Sequence, residues 1–185
     1  MEHLEAIPAP RPAFEPSIVA IYDSDDAADF AVRALRDAGT DMKRLSLVAK
    51  DFRTDESVGG VSRVSVSRAL VGGALLVVPR IGPLRVLGPL VGWIVGALED
   101  ATGGGAADVF GAALANAAVP DESVVKYELA LQAGRFLVLA RGTVVTIVRA
   151  RRVLDSTKPS GLISHGSPAC TADERWSVVD ASATS

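Results

Sequence analysis

The residues best suited to acid–base or nucleophilic chemistry are two histidines and one cysteine. His3, His165 and Cys170 lie in polar segments that contain prolines and lack a hydrophobic period. A nucleophilic cysteine needs a base held beside it, and therefore an ordered scaffold around both groups. We expect neither histidine to be held by packing, which argues against a Cys170–His165 nucleophile. A single cysteine also excludes an intramolecular disulfide and a multi-cysteine metal site.

Two further motifs lack residues that their chemistry requires. The acidic group Asp23, Asp25, Asp26 and Asp29 lacks the ligand spacing and central glycine of a calcium loop. Its pattern is that of a strand end followed by the first turn of a helix. The run GGGAAD at 103–108 lacks the preceding strand and the lysine of a phosphate-binding loop, and is typical of a hinge. The sequence therefore predicts no catalytic residue, no cofactor and no metal.

A glycine stripe in the apolar run 69–98 has a direct physical interpretation. Gly88, Gly92 and Gly96 are four residues apart, so they would lie along one side of a helix. Glycine at such positions lets a second backbone approach closely. Two interpretations stay open: a helical hairpin packed against protein, including a second copy, or a hairpin docked on a membrane. The residues expected to form this surface are Gly72, Gly73, Arg80, Gly82, Arg85, Gly88, Gly92, Trp93 and Gly96.

The length of the two apolar arms decides against a helix that crosses a bilayer. The arms flank a corner at Pro79–Pro83, and each is shorter than the about 20 residues that a span requires. In a continuous span, Arg80 and Arg85 would lie near the bilayer centre at a cost of several kcal/mol. If the run meets a membrane, we expect it to enter one leaflet, with the arginines reaching the interface.

Regular elements on both sides of this run must position it. The first half predicts strands at 17–23 and 43–50 around a helix at 24–38, which begins at the N-cap Ser24. In the second half, a helix is predicted over 121–133, because acidic residues follow Pro120 at its start and Gly134 stands at its end. RFLVLAR at 135–141 predicts a third strand. The segment 143–154 is open between helix and strand, because its β-branched residues favour strand.

The charge and composition of the chain limit which binding partners and which cellular compartment are expected. The formal net charge of −3 argues against a general nucleic-acid binder, which presents a basic face. Residues 1–16 are proline-rich without an apolar core, so they are expected to form a flexible arm rather than a secretory signal. From residue 157 to 185 the chain is polar and lacks periodicity, which predicts a disordered tail. These features indicate a cytoplasmic protein, and any membrane association is expected at the inner face of the cell membrane.

Three motifs in order resemble the bacterial general-stress-protein domain family. They are IGPLRVLGPLVGWIVGALE, then PDESVVKYELALQAGRFLVLARGT, then RARRVL. The opening SIVAIYDSDDAADFAVRALRDAGTDMKRLSLVAKDFRTDE also fits the family's first β-α-β unit, so the resemblance covers residues 17 to about 156. It implies a small α+β domain with a Gly-rich apolar insertion between its halves. It also implies a stress-associated protein that is not recognised as an enzyme.

Taken together, the sequence predicts one α+β domain over 17–156 with a helical hairpin inserted within 69–119. We expect a non-enzymatic, stress-associated protein that acts through self-association or membrane docking of this hairpin. The alternative is a small-ligand-binding domain or an enzyme with its site at the sheet edge. The expected partners are further copies of the chain and, through 69–98, a membrane; no nucleic acid and no known small molecule is expected.

Overall fold

The computed structural model of the chain describes residues 15–50, 70, 73–78, 81–100 and 106–166. Strands and helices follow one another without a regular βαβ repeat, which is typical of an α+β protein. In chain order they are β1 Ser17–Tyr22, α1 Asp25–Asp37, β2 Leu45–Lys50, β3 Gly73–Val78, β4 Gly82–Leu87, α2 Leu90–Asp100, α3 Ala106–Ala115, α4 Asp121–Gln132, β5 Phe136–Arg141, α5 Val144–Ser156 and β6 Gly161–His165.

One six-stranded sheet, in the order β3-β4-β2-β5-β1-β6, organises the described residues. Each pair of neighbouring strands is antiparallel. One face packs its alternate apolar side chains against α1 and α5. The other face packs against α2, α3 and α4. The predicted α+β class is confirmed, and it follows from strands that bury apolar residues on both faces.

Local signals place the first β-α-β unit where the sequence predicts it. All six residues of β1 are buried, as its continuous apolar run requires. The Ser24 hydroxyl accepts a hydrogen bond from the Ala27 N–H at 3.3 Å and caps α1. Gly39, with φ +81°, allows the chain to leave the helix. The result is a helix that joins β1 to β2, and these two strands lie on either side of β5.

The segment left open between helix and strand is the helix α5. The Thr143 hydroxyl accepts from the Thr146 N–H at 3.3 Å and caps its first turn. Ile147, Ala150 and Leu154 recur at helical spacing and are buried against the sheet. The burial of this face and the N-cap outweigh the strand preference of the valines.

The predicted helical hairpin in 69–98 is wrong in its first arm, which is a strand, while its second arm does contain a helix, α2. β3 and β4 form a β-hairpin, in which the Ile81 N–H donates to the Val78 carbonyl at 3.1 Å. Leu76 and Val78 alternate into the core, as a half-buried strand requires. β4 in turn pairs with β2, in register from Leu47↔Leu87 to Lys50↔Leu84. This pairing satisfies backbone groups that a short isolated helix would leave at its ends.

The prediction of a disordered tail from residue 157 is wrong for residues 161–165. They form β6, which pairs with β1 from Ser17↔His165 to Ile21↔Gly161. The Ser160 N–H also donates to the Ile21 carbonyl at 2.8 Å. β1 offers hydrogen-bonding groups along this edge, and a short run of moderate hydrophobicity is sufficient to pair with them. Residues 167–185 of the predicted tail and 1–14 of the predicted arm lie outside the described residues.

None of the helices in the described residues is both long enough and apolar enough to cross a membrane.

Candidate functional site

The residues predicted to form one hairpin surface are dispersed in the structure. Gly72 and Arg80 lie outside the described residues. Gly73 lies in β3 and Gly82 begins β4, where its φ is +95°. Arg85, in the same strand, pairs across the hairpin with Leu75. The remaining four belong to the turn before α2 or to α2 itself: Gly88, Gly92, Trp93 and Gly96.

The glycine stripe is not a close-packing surface within the described chain. Gly88 precedes α2, so it does not continue the side of the helix that carries Gly92 and Gly96. A Cβ atom built on Gly92 or Gly96 would have no described atom within 4 Å. Within the described residues no second backbone packs on Gly92 or Gly96, and the first arm lies in the sheet as β3.

Gly92→Ala is expected to stabilise the protein by up to about 1 kcal/mol. Alanine lowers the backbone entropy that a helix interior loses, and the added methyl group meets open space. Urea unfolding of the variant and of the parent protein measures the change. A loss of stability or of self-association would contradict the assignment, because it would mean that another backbone packs on Gly92.

A polar row crosses three adjacent strands on the face that carries α2, α3 and α4. His165 of β6, Ser17 of β1 and Arg141 of β5 are directly opposite one another in the register. Directly paired side chains in antiparallel strands lie on the same face. These three residues, the polar row, therefore bring a base, a hydroxyl and a guanidinium to one end of the sheet.

His165 forms a closed pair with Tyr127 of α4. The Tyr127 hydroxyl and His165 Nε2 are hydrogen-bonded at 2.6 Å, and the rings meet edge to face with centroids 5.9 Å apart. Burial, with a smaller contribution from the charge of Lys126, lowers the pKa of His165 to about 4. Burial also raises the pKa of Tyr127 above its usual range. The expectation that His165 is not held by packing is wrong, and the pair is a neutral structural contact at pH 7.

Ser17 is fully buried and its hydroxyl has a partner. It donates to the Ala117 carbonyl at 2.5 Å, and so ties the start of β1 to the residues that follow α3. Ser17 therefore serves to position α3 on the sheet. Cys170, the other residue of the nucleophile considered above, lies outside the described residues.

Arg141 is the member of the polar row whose charge reaches the protein surface. Its Cζ atom lies 4.1 Å from the centroid of a Trp93 ring, in cation–π geometry. Its Nη2 donates to Glu15 Oε2 at 3.2 Å. Its Nε is buried and has no hydrogen-bond partner among the described residues. Arg141 thus holds one anionic partner and keeps an unused donor.

Glu15 joins Arg141 to a second arginine. Arg44 Nη1 donates to Glu15 Oε1 at 3.0 Å and to Oε2 at 2.9 Å. The Arg44 hydrogen bond is the largest cause that lowers the pKa of the Glu15 carboxyl, and Arg141 acts in the same direction. Two guanidinium groups that bind one carboxylate form an arrangement typical of anion recognition by arginine.

The acidic group of the sequence lies at a strand end and a helix start, as predicted. Asp23 accepts from the Ser160 hydroxyl and forms an ion pair with Arg135 Nε at 2.9 Å. Asp29 pairs with Arg33 one helical turn later. Within the ranges that the structure describes, no three metal-ligating side chains converge.

Sequence reasoning missed Glu15, Ser17, Arg44, Tyr127 and Arg141 as site residues. Three of them share a signal: Ser17 opens the apolar run of β1, Arg44 precedes that of β2, and Arg141 closes that of β5. A polar residue at the end of a strand is common, so the signal becomes specific only once the antiparallel order places these ends together.

Comparison of the chain with protein-family models, with curated proteins and with solved structures finds no match.

Proposed function

We propose that the protein is a non-enzymatic, stress-associated protein that acts by self-association, with β3 as the contact between copies. The stress-associated role rests on the family resemblance of the sequence motifs. The self-association is supported by one observation: β3 is an edge strand of the sheet that the described residues form, and its outward face is apolar. In this proposal the apolar insertion acts through a strand rather than through a glycine-lined helix.

The backbone of β3 supports this contact. β3 ends the described sheet and pairs with β4 on one side. The other edge of such a strand presents N–H and C=O groups that can pair with another chain. Soluble proteins usually protect an edge with lysine, proline or a bulge, whereas the sequence of β3, GALLVV, carries neither charge nor proline.

The side chains of β3 support it as well. Leu76 and Val78 anchor the strand in the core, while Leu75 is 59% exposed and Val77 is 65% exposed. Antiparallel pairing of two β3 strands would place Leu75 and Val77 of one copy beside those of the other. Such cross-strand aliphatic contacts stabilise a sheet. Pairing with a second copy would therefore satisfy the hydrogen-bonding groups of the β3 edge and cover the exposed side chains of Leu75 and Val77.

Loss of self-association on charging β3 tests the proposal. In Leu75→Lys/Val77→Lys, two ammonium groups on the outward face of each edge should repel the second copy. The core should remain folded because neither side chain is buried. Sedimentation analysis over a concentration series should show a parent protein of twice the monomer mass and a monomeric variant, with unchanged circular dichroism.

Val145→Lys is the matched control, because Val145 is 75% exposed on α5, which packs on the sheet face away from α2, α3 and α4. It should associate like the parent protein. A parent protein that stays monomeric at high concentration would contradict the proposal. Flotation of the parent with vesicles, lost in Leu75→Lys/Val77→Lys, would instead assign the surface to membrane docking.

A further inference from the structure

We infer that Arg44 and Arg141 form an anion-binding site that the chain's own Glu15 fills in the free protein, and that takes a phosphate or an organic carboxylate in its place. This site lies away from β3 and does not depend on the proposed self-association. Its ligand class follows from the arginine pair, Arg44 and Arg141, and from the group that now occupies it.

The register of the sheet places the two arginines side by side. β2 and β5 pair with Leu45 opposite Ala140. Arg44, the last residue of a 3-10 turn at Met42–Arg44, directly precedes Leu45, and Arg141 directly follows Ala140, so both arginines come to the same end of this ladder. Like charges held close together repel each other. An anion between the two members of the arginine pair relieves this repulsion.

The distances show where that anion lies. Arg44 Nη1 and Arg141 Nη2 both reach Glu15 Oε2, at 2.9 and 3.2 Å, and Arg44 Nη1 also reaches Oε1 at 3.0 Å. Both oxygens of one carboxylate are thus engaged. Planar guanidinium groups match the geometry of carboxylate and phosphate oxygens better than ammonium groups do.

Arg141 is held in place whether or not Glu15 is bound. Trp93 covers the face of its guanidinium at 4.1 Å. Its side chain is 20% exposed, and the buried Nε has no hydrogen-bond partner among the described residues. A charged group confined in this way gains more from a nearby anion than a fully solvated one does. The site is therefore formed before a ligand arrives.

Glu15 is a replaceable occupant. Its side chain is 40% exposed, and that of Arg44 is 43% exposed. Exposed ion pairs of this kind contribute little net free energy. The neighbouring backbone is fixed independently, because the Gly142 N–H donates to the Pro16 carbonyl at 3.1 Å. The Glu15 side chain can consequently leave the arginine pair while β1 stays in the sheet.

Competition between Glu15 and an added anion tests this inference. The probe is Trp93 fluorescence in a Trp176→Phe background, titrated with inorganic phosphate and separately with acetate at constant ionic strength. We expect Glu15→Gln to bind phosphate about tenfold more tightly than the parent, as for a site that its own occupant leaves free about one-tenth of the time. Acetate should compete with phosphate in the same variant, because a carboxylate occupies the site in the parent protein.

Two matched variants keep the test decisive. Asp37→Asn removes a carboxylate from an exposed pair with Arg36 elsewhere, and should bind phosphate like the parent. Adding Arg44→Gln to Glu15→Gln should abolish the gain in phosphate affinity without disturbing the partly buried Arg141. Equal phosphate affinity in Glu15→Gln and Asp37→Asn, or binding that survives loss of Arg44, would overturn the inference.

Discussion

Replacing Gly88 by alanine is expected to lower the free energy of unfolding by about 3 kcal/mol. Gly88 has a φ of +88°, a conformation that disfavours any residue with a Cβ atom. The new Cβ would also lie 2.2 Å from the Leu45 carbonyl oxygen and 3.0 Å from Ser46 Cα. Both neighbours belong to β2, which is paired on both sides and has no room to move. Urea unfolding measures the loss.

The substitution should also displace α2, because Gly88 sets the direction in which the chain leaves β4. The Ser46 hydroxyl accepts from the Leu90 N–H at 3.1 Å, and this contact holds the start of the helix on the sheet. A shift of α2 would also move Trp93 away from Arg141. We therefore expect altered Trp93 fluorescence in Gly88→Ala, measured in the Trp176→Phe background.

Gly39→Ala is the matched control, because it separates backbone strain from steric overlap. Gly39 has a similar φ of +81°, but a Cβ there would meet no described atom within 4 Å. Only the conformational cost, about 1 kcal/mol, should remain. If the two variants lose equal stability, the close contact between Gly88 and β2 does not constrain the fold.

Acidification from pH 7 to pH 5 is expected to cost about 2 kcal/mol of stability through His165 alone. The pKa of His165 is about 4 in the folded protein, against an ordinary value of 6.5. Between these values the unfolded chain binds a proton that the folded protein excludes. The contribution is therefore complete above pH 6.5, falls as the pH drops, and is lost near pH 4.

The comparison of the parent with His165→Gln isolates the contribution of His165 to the acid-induced loss of stability. Glutamine can hydrogen-bond to Tyr127 but does not titrate, while carboxyl groups such as Glu15 titrate in both proteins and cancel. Urea unfolding at pH 5 and pH 7 should show a larger acid-induced loss in the parent, by about 2 kcal/mol. Equal losses in the two proteins would show that His165 accepts a proton in the folded state.

Sequence alone determined the elements whose signals are local. The Ser24 cap and the apolar spacing of α1 lie within one stretch of chain, and a helix satisfies its hydrogen bonds within that stretch. The buried runs of β1, β2 and β5 are also readable, because each is rich in residues that favour strands. These elements are sufficient to predict the α+β class, which the structure confirms.

The tertiary structure decided the elements that depend on a distant partner. GALLVV becomes β3 because β4 is available to pair with it, and GLISH becomes β6 because β1 offers an edge. A strand gains most of its stability from such pairing, so its own sequence carries a weak signal. This is why the first apolar arm reads as a helix in the sequence but forms the strand β3, whereas the second arm, which carries the glycine spacing, contains the helix α2.

The polar contacts depended on the tertiary structure for the same physical reason. Glu15 and Arg141 are separated by 126 positions in the chain, and Ser17 and Ala117 by 100. Their types were visible in the sequence, but their proximity follows from the strand order β2-β5-β1-β6. Sequence determines which residues can carry charge or donate hydrogen bonds. The sheet determines which of them meet, because hydrogen bonds and ion pairs act over a few ångströms of space, whatever their separation along the chain.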